Sequence, residues 1–319
     1  SRADLVGKLL HMSNMNMKQM QQQQLQQNKK IEEAKQAKNK TNDKNKLEAG
    51  IISNIVIHTN KSRSASDSSQ EEKIGPHSFS IFHLLGKGSF GEVYLVEKIS
   101  SQKRYAMKVL RKDKIVNQNL TRYAKTERNV LSIMNHPFIV KLNYAFQTDT
   151  KLYLLLDFCP GGDLGGVISR KRKFSEEVAR IYTAEILLAL EALHKNYIVF
   201  RDLKPDNVVI DADGHAQLTD FGLSKEGVNN NLSRSFCGSV AYLAPEMLRR
   251  SGHNRTVDWY LLGVLLYEML VGIPPYFSSN RDELFENIQK AQLKLPKSMS
   301  EEAKSLIKGL LNRNPAKRL

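Results

Sequence analysis

No phenylalanine, tyrosine or tryptophan occurs before Phe79; all 12 Phe, 11 Tyr and the single Trp lie at or after that position. Aromatic side chains supply much of the area a core buries, so this asymmetry confines any sizeable core to the residues that follow. The preceding stretch is also biased. Gln21 to Gln27 is nearly pure glutamine, Met12, Met15, Met17 and Met20 come just before it, Lys29 to Lys46 is rich in Lys, Asn and Glu, and Ser62 to Ser69 is a serine cluster. Such a composition buries too little apolar surface to offset the entropy of ordering. Residues 1–75 therefore read as a low-complexity, mostly disordered tail. Gln, Met, Leu and Lys allow a weak helix over Leu5 to Gln36, and a partner-binding or coiled-coil segment is the alternative.

The chain has 319 residues and 41% hydrophobic content, enough for a core, and a net charge of +15. Its two cysteines, Cys159 and Cys237, make no disulfide framework and suit a reducing compartment. That points to an intracellular location, cytoplasmic ahead of nuclear. The longest apolar run, Trp259 to Ile273, contains Glu268 and falls short of the ~20 residues of a membrane span. The first residues lack the apolar stretch of a signal peptide, and the absence of an initial Met reads as a fragment.

Beyond residue 75 two halves differ. Phe79 to Leu85 reads as a strand, followed by a Gly-rich turn and a second strand over Glu92 to Lys98. Arg104 to Leu110 is a third, Leu120 to Met134 is helical, and Val140 to Gln147 and Lys151 to Phe158 are further strands. Pro160-Gly161-Gly162 breaks the chain. Helices then dominate. Ser175 is an N-cap followed by Glu176 and Glu177, Val257 to Leu270 is apolar all round and so buried, and Ser300 to Leu311 is amphipathic. The pattern is α+β, a small β-rich lobe joined to a larger helical one.

Gly86-Lys87-Gly88-Ser89-Phe90-Gly91 is a weak signal alone. The dinucleotide fingerprint needs a helix next, and here Glu92-Val93-Tyr94-Leu95-Val96 continues as a strand. A strand–glycine turn–strand suits a flap over phosphates, because glycine lets backbone N–H groups approach closely. Tyr105-Ala106-Met107-Lys108 follows, then Phe200-Arg201-Asp202-Leu203-Lys204-Pro205-Asp206-Asn207, Asp220-Phe221-Gly222 and Ala244-Pro245-Glu246. In order and spacing this set resembles the eukaryotic protein kinase signature, over residues 79–319.

The resemblance implies the bilobal protein kinase fold, with a β-rich lobe over 79–158 and a helical lobe over 163–319. It implies ATP and Mg²⁺ as cofactors. Lys108 would hold the α/β-phosphates, and Glu127 on the first helix would pair with it. Asn207 and Asp220 would supply oxygen ligands to Mg²⁺. Asp202 would accept the substrate hydroxyl's proton, with Lys204 reaching the transferred phosphate. Lysine at 204 resembles serine/threonine rather than tyrosine kinases. The nucleotide would contact Leu85, Gly86, Lys87, Gly88, Ser89, Phe90, Gly91, Val93, Ala106, Lys108, Asp157, Cys159, Asp163, Asn207, Val209 and Asp220. A pseudokinase reading requires loss of Lys108, Asp202, Asn207 or Asp220, and all four are present.

Leu156-Asp157-Phe158, Gly161-Gly162-Asp163, Ser235-Phe236-Cys237-Gly238-Ser239, Tyr242 to Glu246 and Val257-Asp258-Trp259 resemble the AGC-type group. In that group Ser235 would be the activating phosphorylation site, served by an upstream kinase. Arg201 and Lys225 would be its basic partners, and Tyr123 stands where a third, histidine partner often lies. Asp163, Asp206 and Glu268 would read arginines upstream of the acceptor Ser or Thr, and Phe236, Val240 and Leu243 would line a pocket for the residue after it. Arg63-Ser64-Ala65-Ser66 makes Ser66 a candidate autophosphorylation site. Ser239-Val240-Ala241 departs from the usual Thr-Pro-Glu. Arg318 matches the arginine that pairs with Glu246, and the group's last helix and C-terminal tail would lie beyond Leu319. The competing classes are a scaffold acting through the Gln-rich tail and an anionic-surface or nucleic-acid binder. Arg170-Lys171-Arg172-Lys173 favours the latter loosely, but it lacks interleaved aromatics and reads better as a solvated loop.

Overall fold

A computed structural model describes residues 74–88, 91–117, 120–227 and 238–319. The expectations for residues 1–73, including Ser66, and for Ser89, Phe90, Ser235, Phe236 and Cys237, lie outside the described residues.

The first half is an antiparallel sheet of β1 (Phe79–Gly88), β2 (Gly91–Lys98), β3 (Arg104–Arg111), β4 (Leu142–Gln147) and β5 (Lys151–Asp157), in the order β1-β2-β3-β5-β4. Strand side chains alternate between faces, and the register sorts them. Val93 lies opposite Lys108, Leu95 opposite Ala106, and Ala106 and Lys108 opposite Leu156 and Leu154. Those residues share one face. On the other, Phe79, Val96, Tyr105, Met107, Val109, Phe146, Tyr153 and Leu155 form a separate apolar cluster.

Two helices follow β3: α1 (Lys112–Asn117) and α2 (Thr121–Ile133). The sequence reading has α2 but not α1, whose six residues are too few for a helical period to register. The same holds for a second sheet of β6 (Gly162–Asp163), β7 (Val208–Ile210) and β8 (Ala216–Leu218). These strands are too short to show alternation. An eight-residue helix, α3 (Leu164–Lys171), also escaped it, because glycines at 165 and 166 hide the helix start.

The longer helices follow their sequence signals. In α4 (Glu176–Lys195) the Ser175 hydroxyl caps the Val178 N–H at 3.4 Å, and Glu176 and Glu177 occupy the first turn. After α5 (Pro245–Leu248) comes α6 (Thr256–Val271), buried along most of its length. It ends at Gly272, with φ 94°, where a Cβ would stand 2.4 Å from the Arg172 carbonyl oxygen, so only glycine fits. Next are α7 (Arg281–Lys290) and α8 (Glu301–Leu310), the latter capped by Ser300. One apolar core runs from the inner face of the five-stranded sheet into these helices. It includes Leu131, Leu142, Leu154, Leu156, Phe200, Phe221, Tyr260 and Leu265. Burial of this order is the main favourable term in folding. The basic Arg170 and Lys171 sit in the last turn of α3, the helix end that favours cations.

Candidate active site

The lysine of β3 and the glutamate of α2 meet across the inner face of the sheet. The Lys108 ammonium donates to Glu127 Oε1 at 2.6 Å and also contacts Asp220 Oδ1. Both Lys108 and Glu127 are buried. Burial by itself pulls the lysine's pKa down, but the charges of Glu127 and Asp220 overturn this and hold the ammonium above the ordinary lysine value. Asp220 is held below the usual carboxylate range, chiefly by Lys108. Glu127 is pushed up by burial despite Lys108. Two carboxylates around one ammonium compete, and the more exposed Asp220 keeps its charge more readily. Its backbone, at φ 67°, is in the left-handed region, a conformation that persists where surrounding structure fixes it.

A second cluster lies on the loop after Phe200. Asn207 Nδ2 donates to the Asp202 carbonyl at 2.7 Å and to Asp202 Oδ2 at 2.8 Å. Lys204 Nζ is 3.5 Å from the same carboxylate and donates to Ser239 Oγ at 3.1 Å. Burial pushes the Asp202 carboxyl up, while Lys204 and the Asn207 bond oppose the shift. The loop is pinned from below by Asp258 on α6. This fully buried carboxylate accepts the Phe200 N–H at 2.9 Å and the Arg201 N–H at 2.8 Å, and lies 2.7 Å from His194 Nε2. Arg201 has φ 69° and its guanidinium donates to the Leu223 and Ser224 carbonyls. Backbone bonds between Val199 and Lys225 place the two loop segments side by side.

Gly86 pairs with Val93 and Gly88 with Gly91 across the β1–β2 ribbon. A Cβ on Gly86 would meet nothing within 4 Å, so the space beside it is open. Gly91 is glycine for another reason: its Cβ would stand 2.1 Å from the Val109 carbonyl oxygen on β3. Leu85 and Lys87 are exposed on β1, and Ala106 packs on the larger core. Asp157 ends β5 and accepts from Asn143 at 2.8 Å. Cys159 follows, its thiol pushed up to about 12 by burial, and so stays protonated. Asp163 pairs in register with Val209 and caps α3. Toward the other end, Tyr242 donates to Glu268 Oε2 at 2.6 Å, and burial then the charge of Asp206 push Glu268 up against the Tyr242 bond. Arg318 makes a buried two-pronged contact with Glu246, at 2.7 and 3.0 Å.

The protein kinase domain family model matches residues 79–319. The chain belongs to the protein kinase family. Within it, the chain falls in the serine/threonine, AGC-type group. It is 46% identical over 271 residues to the serine/threonine-protein kinase AtPK2/AtPK19 of Arabidopsis thaliana, covering 82% of this chain and 57% of that one. It is 49% identical over 241 residues to protein kinase 2 of Dictyostelium discoideum, covering 76% and 50%. Ribosomal protein S6 kinase alpha-3 of Mus musculus is 49% identical over 252 residues, 78% of this chain and 34% of that one. The chain spans about half the length of the first two of these relatives.

ATP and Mg²⁺ are the standard cofactors of this kinase family, and the donor set here suits them. The Asn207 amide nitrogen serves Asp202, which leaves its oxygen as the free ligand atom, and Asp220 offers a carboxylate. No group of three or more His, Cys, Asp or Glu fit to hold a metal exists among the described residues. Mg²⁺ needs none, since it takes one or two protein oxygens together with phosphate oxygens and water. No helix among the described residues is long and apolar enough to cross a membrane. Two kinase-site features lay beyond the sequence reading. Asp258 was seen as part of a family motif without a role, although a carboxylate in a helix apolar all round signals a buried acceptor. In the sequence Ser239 is both the end of a matching motif and the start of a departing one, and its bond to Lys204 requires the two loops to be seen together.

Proposed function

We propose that this protein transfers the γ-phosphoryl group of ATP to serine or threonine hydroxyls of protein substrates. The observation that carries the reading is the proximity of the Lys108–Glu127–Asp220 and Asp202–Lys204–Asn207 clusters, close enough that Lys204 pulls the Asp220 carboxyl down and Asp220 pushes that of Asp202 up. Bound MgATP would supply the phosphoryl group and neutralise its charge. The chain's own residues do the positioning, which is most of what phosphoryl transfer needs. Glu127 aims the Lys108 ammonium at phosphate oxygens, and Asn207 and Asp220 offer oxygens to the metal. Asp202 orients the acceptor hydroxyl and takes its proton on the carboxylate. Lys204 opposes the upward shift that burial gives that carboxylate and adds a cation beside the transferred group.

Residues 76–319 act as the kinase domain and 1–75 as a tail outside the chemistry. Asp163, Asp206 and Glu268 favour substrates with basic residues upstream of the acceptor, since carboxylate–guanidinium contacts are among the stronger hydrogen bonds. Phosphate on Ser235, placed by an upstream kinase, would pair with Arg201 and Lys225, and Ser66 is a candidate for autophosphorylation. The location is intracellular. A positional-scanning peptide library with labelled ATP tests activity and specificity together. Transfer to Ser/Thr with arginine favoured two and three residues upstream is the expected result, and a preference for proline or acidic flanks would contradict the specificity.

A further inference from the structure

The chain passes from α3 into α4 through Arg172-Lys173-Phe174-Ser175, a turn pinned to the end of α6. The Phe174 N–H donates to the Met269 carbonyl at 2.7 Å, and the Arg172 carbonyl oxygen fills the space that a side chain on Gly272 would need. Beside this turn lies a cavity of about 440 Å³, inside the ~300–1,000 Å³ range of ligand pockets. Phe174, Leu270, Val271 and Met299 give it apolar walls, and the exposed Lys173 and Ser298 also line it. Glu176 is the one acid among its described lining residues, and its carboxylate already accepts the Ser300 N–H at 2.7 Å. Three consecutive cations flank the cavity. Lys173 lines it, Lys171 Nζ lies 5.9 Å from the centre of the Phe174 ring, and Arg172 stands between the two in the chain. All three are exposed. Other surface lysines of the helical lobe pair with carboxylates: Lys195 with Glu191, Lys290 with Glu286 and Lys304 with Glu301. Lys171, Arg172 and Lys173 pair with no carboxylate among the described residues. Adjacent like charges repel, and an incoming anion relieves that repulsion.

We propose that this surface docks a protein segment in which a large apolar side chain is flanked by acidic residues. The apolar side chain fills the cavity, and the carboxylates meet Lys171, Arg172 and Lys173. The charge of the surface calls for an anionic partner, and its shape selects a peptide among them. Single-stranded nucleic acid is held by aromatic faces on which bases stack, and Phe174, the aromatic residue here, is buried. Binding to a membrane surface is carried by apolar side chains that protrude into the lipid, whereas these line a recess. None of the residues involved belongs to the Lys108 or Asp202 clusters, so docking adds a choice of partner without changing the chemistry. The ionic part of the contact is exposed and weakens with salt.

The test is fluorescence anisotropy on the full chain with a labelled peptide carrying one phenylalanine between two pairs of glutamates. Two control peptides replace the phenylalanine by serine or the glutamates by glutamines. The parent peptide should bind, and each control should bind more weakly, the serine control by roughly tenfold or more, as loss of a buried aromatic side chain implies. A triple variant, Lys171→Gln with Arg172→Asn and Lys173→Gln, removes the charges; asparagine tolerates the left-handed backbone of residue 172, at φ 72°. It should lose about 3- to 100-fold in affinity, the range three exposed ion pairs support together, and the loss should shrink as salt rises. Ser298→Glu places a like charge at the cavity and should weaken the parent peptide as well. Phosphotransfer to a short Ser/Thr peptide without the docking segment should stay at the wild-type rate in both variants, which separates lost docking from lost folding. No saturable binding of the parent peptide, or binding that neither variant weakens, would overturn the proposal. Tighter binding of phosphatidylserine vesicles or of oligo-dT than of the peptide, lost in the triple variant, would overturn the peptide as occupant.

Discussion

Asp202 is a carboxylate whose pKa lies above the ordinary aspartate value. Burial pushes its pKa up, and the Lys204 ammonium at 3.5 Å, with the Asn207 bond, pulls it back. A general base works deprotonated, so activity declines as pH falls through that pKa. Replacing Lys204 by Met removes a charge that lowers it, and the acidic limb of kcat/KM should move to higher pH. A limb that stays in place in that profile would separate Lys204 from the ionisation of Asp202. Asp258 makes a different demand. It satisfies two buried backbone N–H groups, those of Phe200 and Arg201. Asp258→Ala leaves both without an acceptor, and each such orphan costs about 1–3 kcal/mol. Urea unfolding should show a stability loss of roughly that size or more, together with lower turnover because the loop carrying Asp202 is released.

Between elements, the buried pair of Glu246 on α5 and Arg318 ties that helix to the segment after α8. Arg318 also donates to the Thr256 and Asn312 carbonyls and lies 5.0 Å from the Tyr260 ring centre. Arg318→Ala leaves Glu246 charged and buried, which costs about 3–5 kcal/mol. Deleting the exposed Lys290–Glu286 pair on α7 should change unfolding little or not at all. Equal losses from the two deletions would deny the buried pair its special role. The Arg318 partnership was legible only through the resemblance, in which Arg318 matches the arginine that pairs with Glu246. The long helices were legible because caps such as Ser175 and Ser300 stand beside apolar periods. Helix α1 and strands β6 to β8 were not, because two to six residues carry no measurable period.

Across the whole molecule, one apolar core joins the inner sheet face to the helical layer, and His253 is a buried titratable group within that fold. Its Nε2 has no hydrogen-bond partner. Burial, with Arg201 and Lys225 adding and Glu246 and Asp258 opposing, pulls its pKa from 6.5 to about 4. The unfolded chain binds this proton near pH 6.5 and the folded chain only near 4. Its contribution to stability is therefore present at neutral pH, lost progressively as pH falls below 6.5, and gone near pH 4. The full loss is on the order of 3 kcal/mol. His253→Phe should flatten the dependence of unfolding free energy on pH in that window, and an unchanged slope would assign the acid sensitivity to other groups. We propose that two clusters, Lys108–Glu127–Asp220 and Asp202–Lys204–Asn207, act as one phosphotransfer site. The most direct test is Mg²⁺-dependent transfer of labelled γ-phosphate from ATP to a Ser/Thr peptide by the wild type and by Asp202→Ala. Transfer by the wild type is expected, with a fall of roughly 10²–10⁴-fold in the variant. Undiminished transfer by Asp202→Ala, or none by a wild type that binds MgATP and carries phosphate on Ser235, would contradict it.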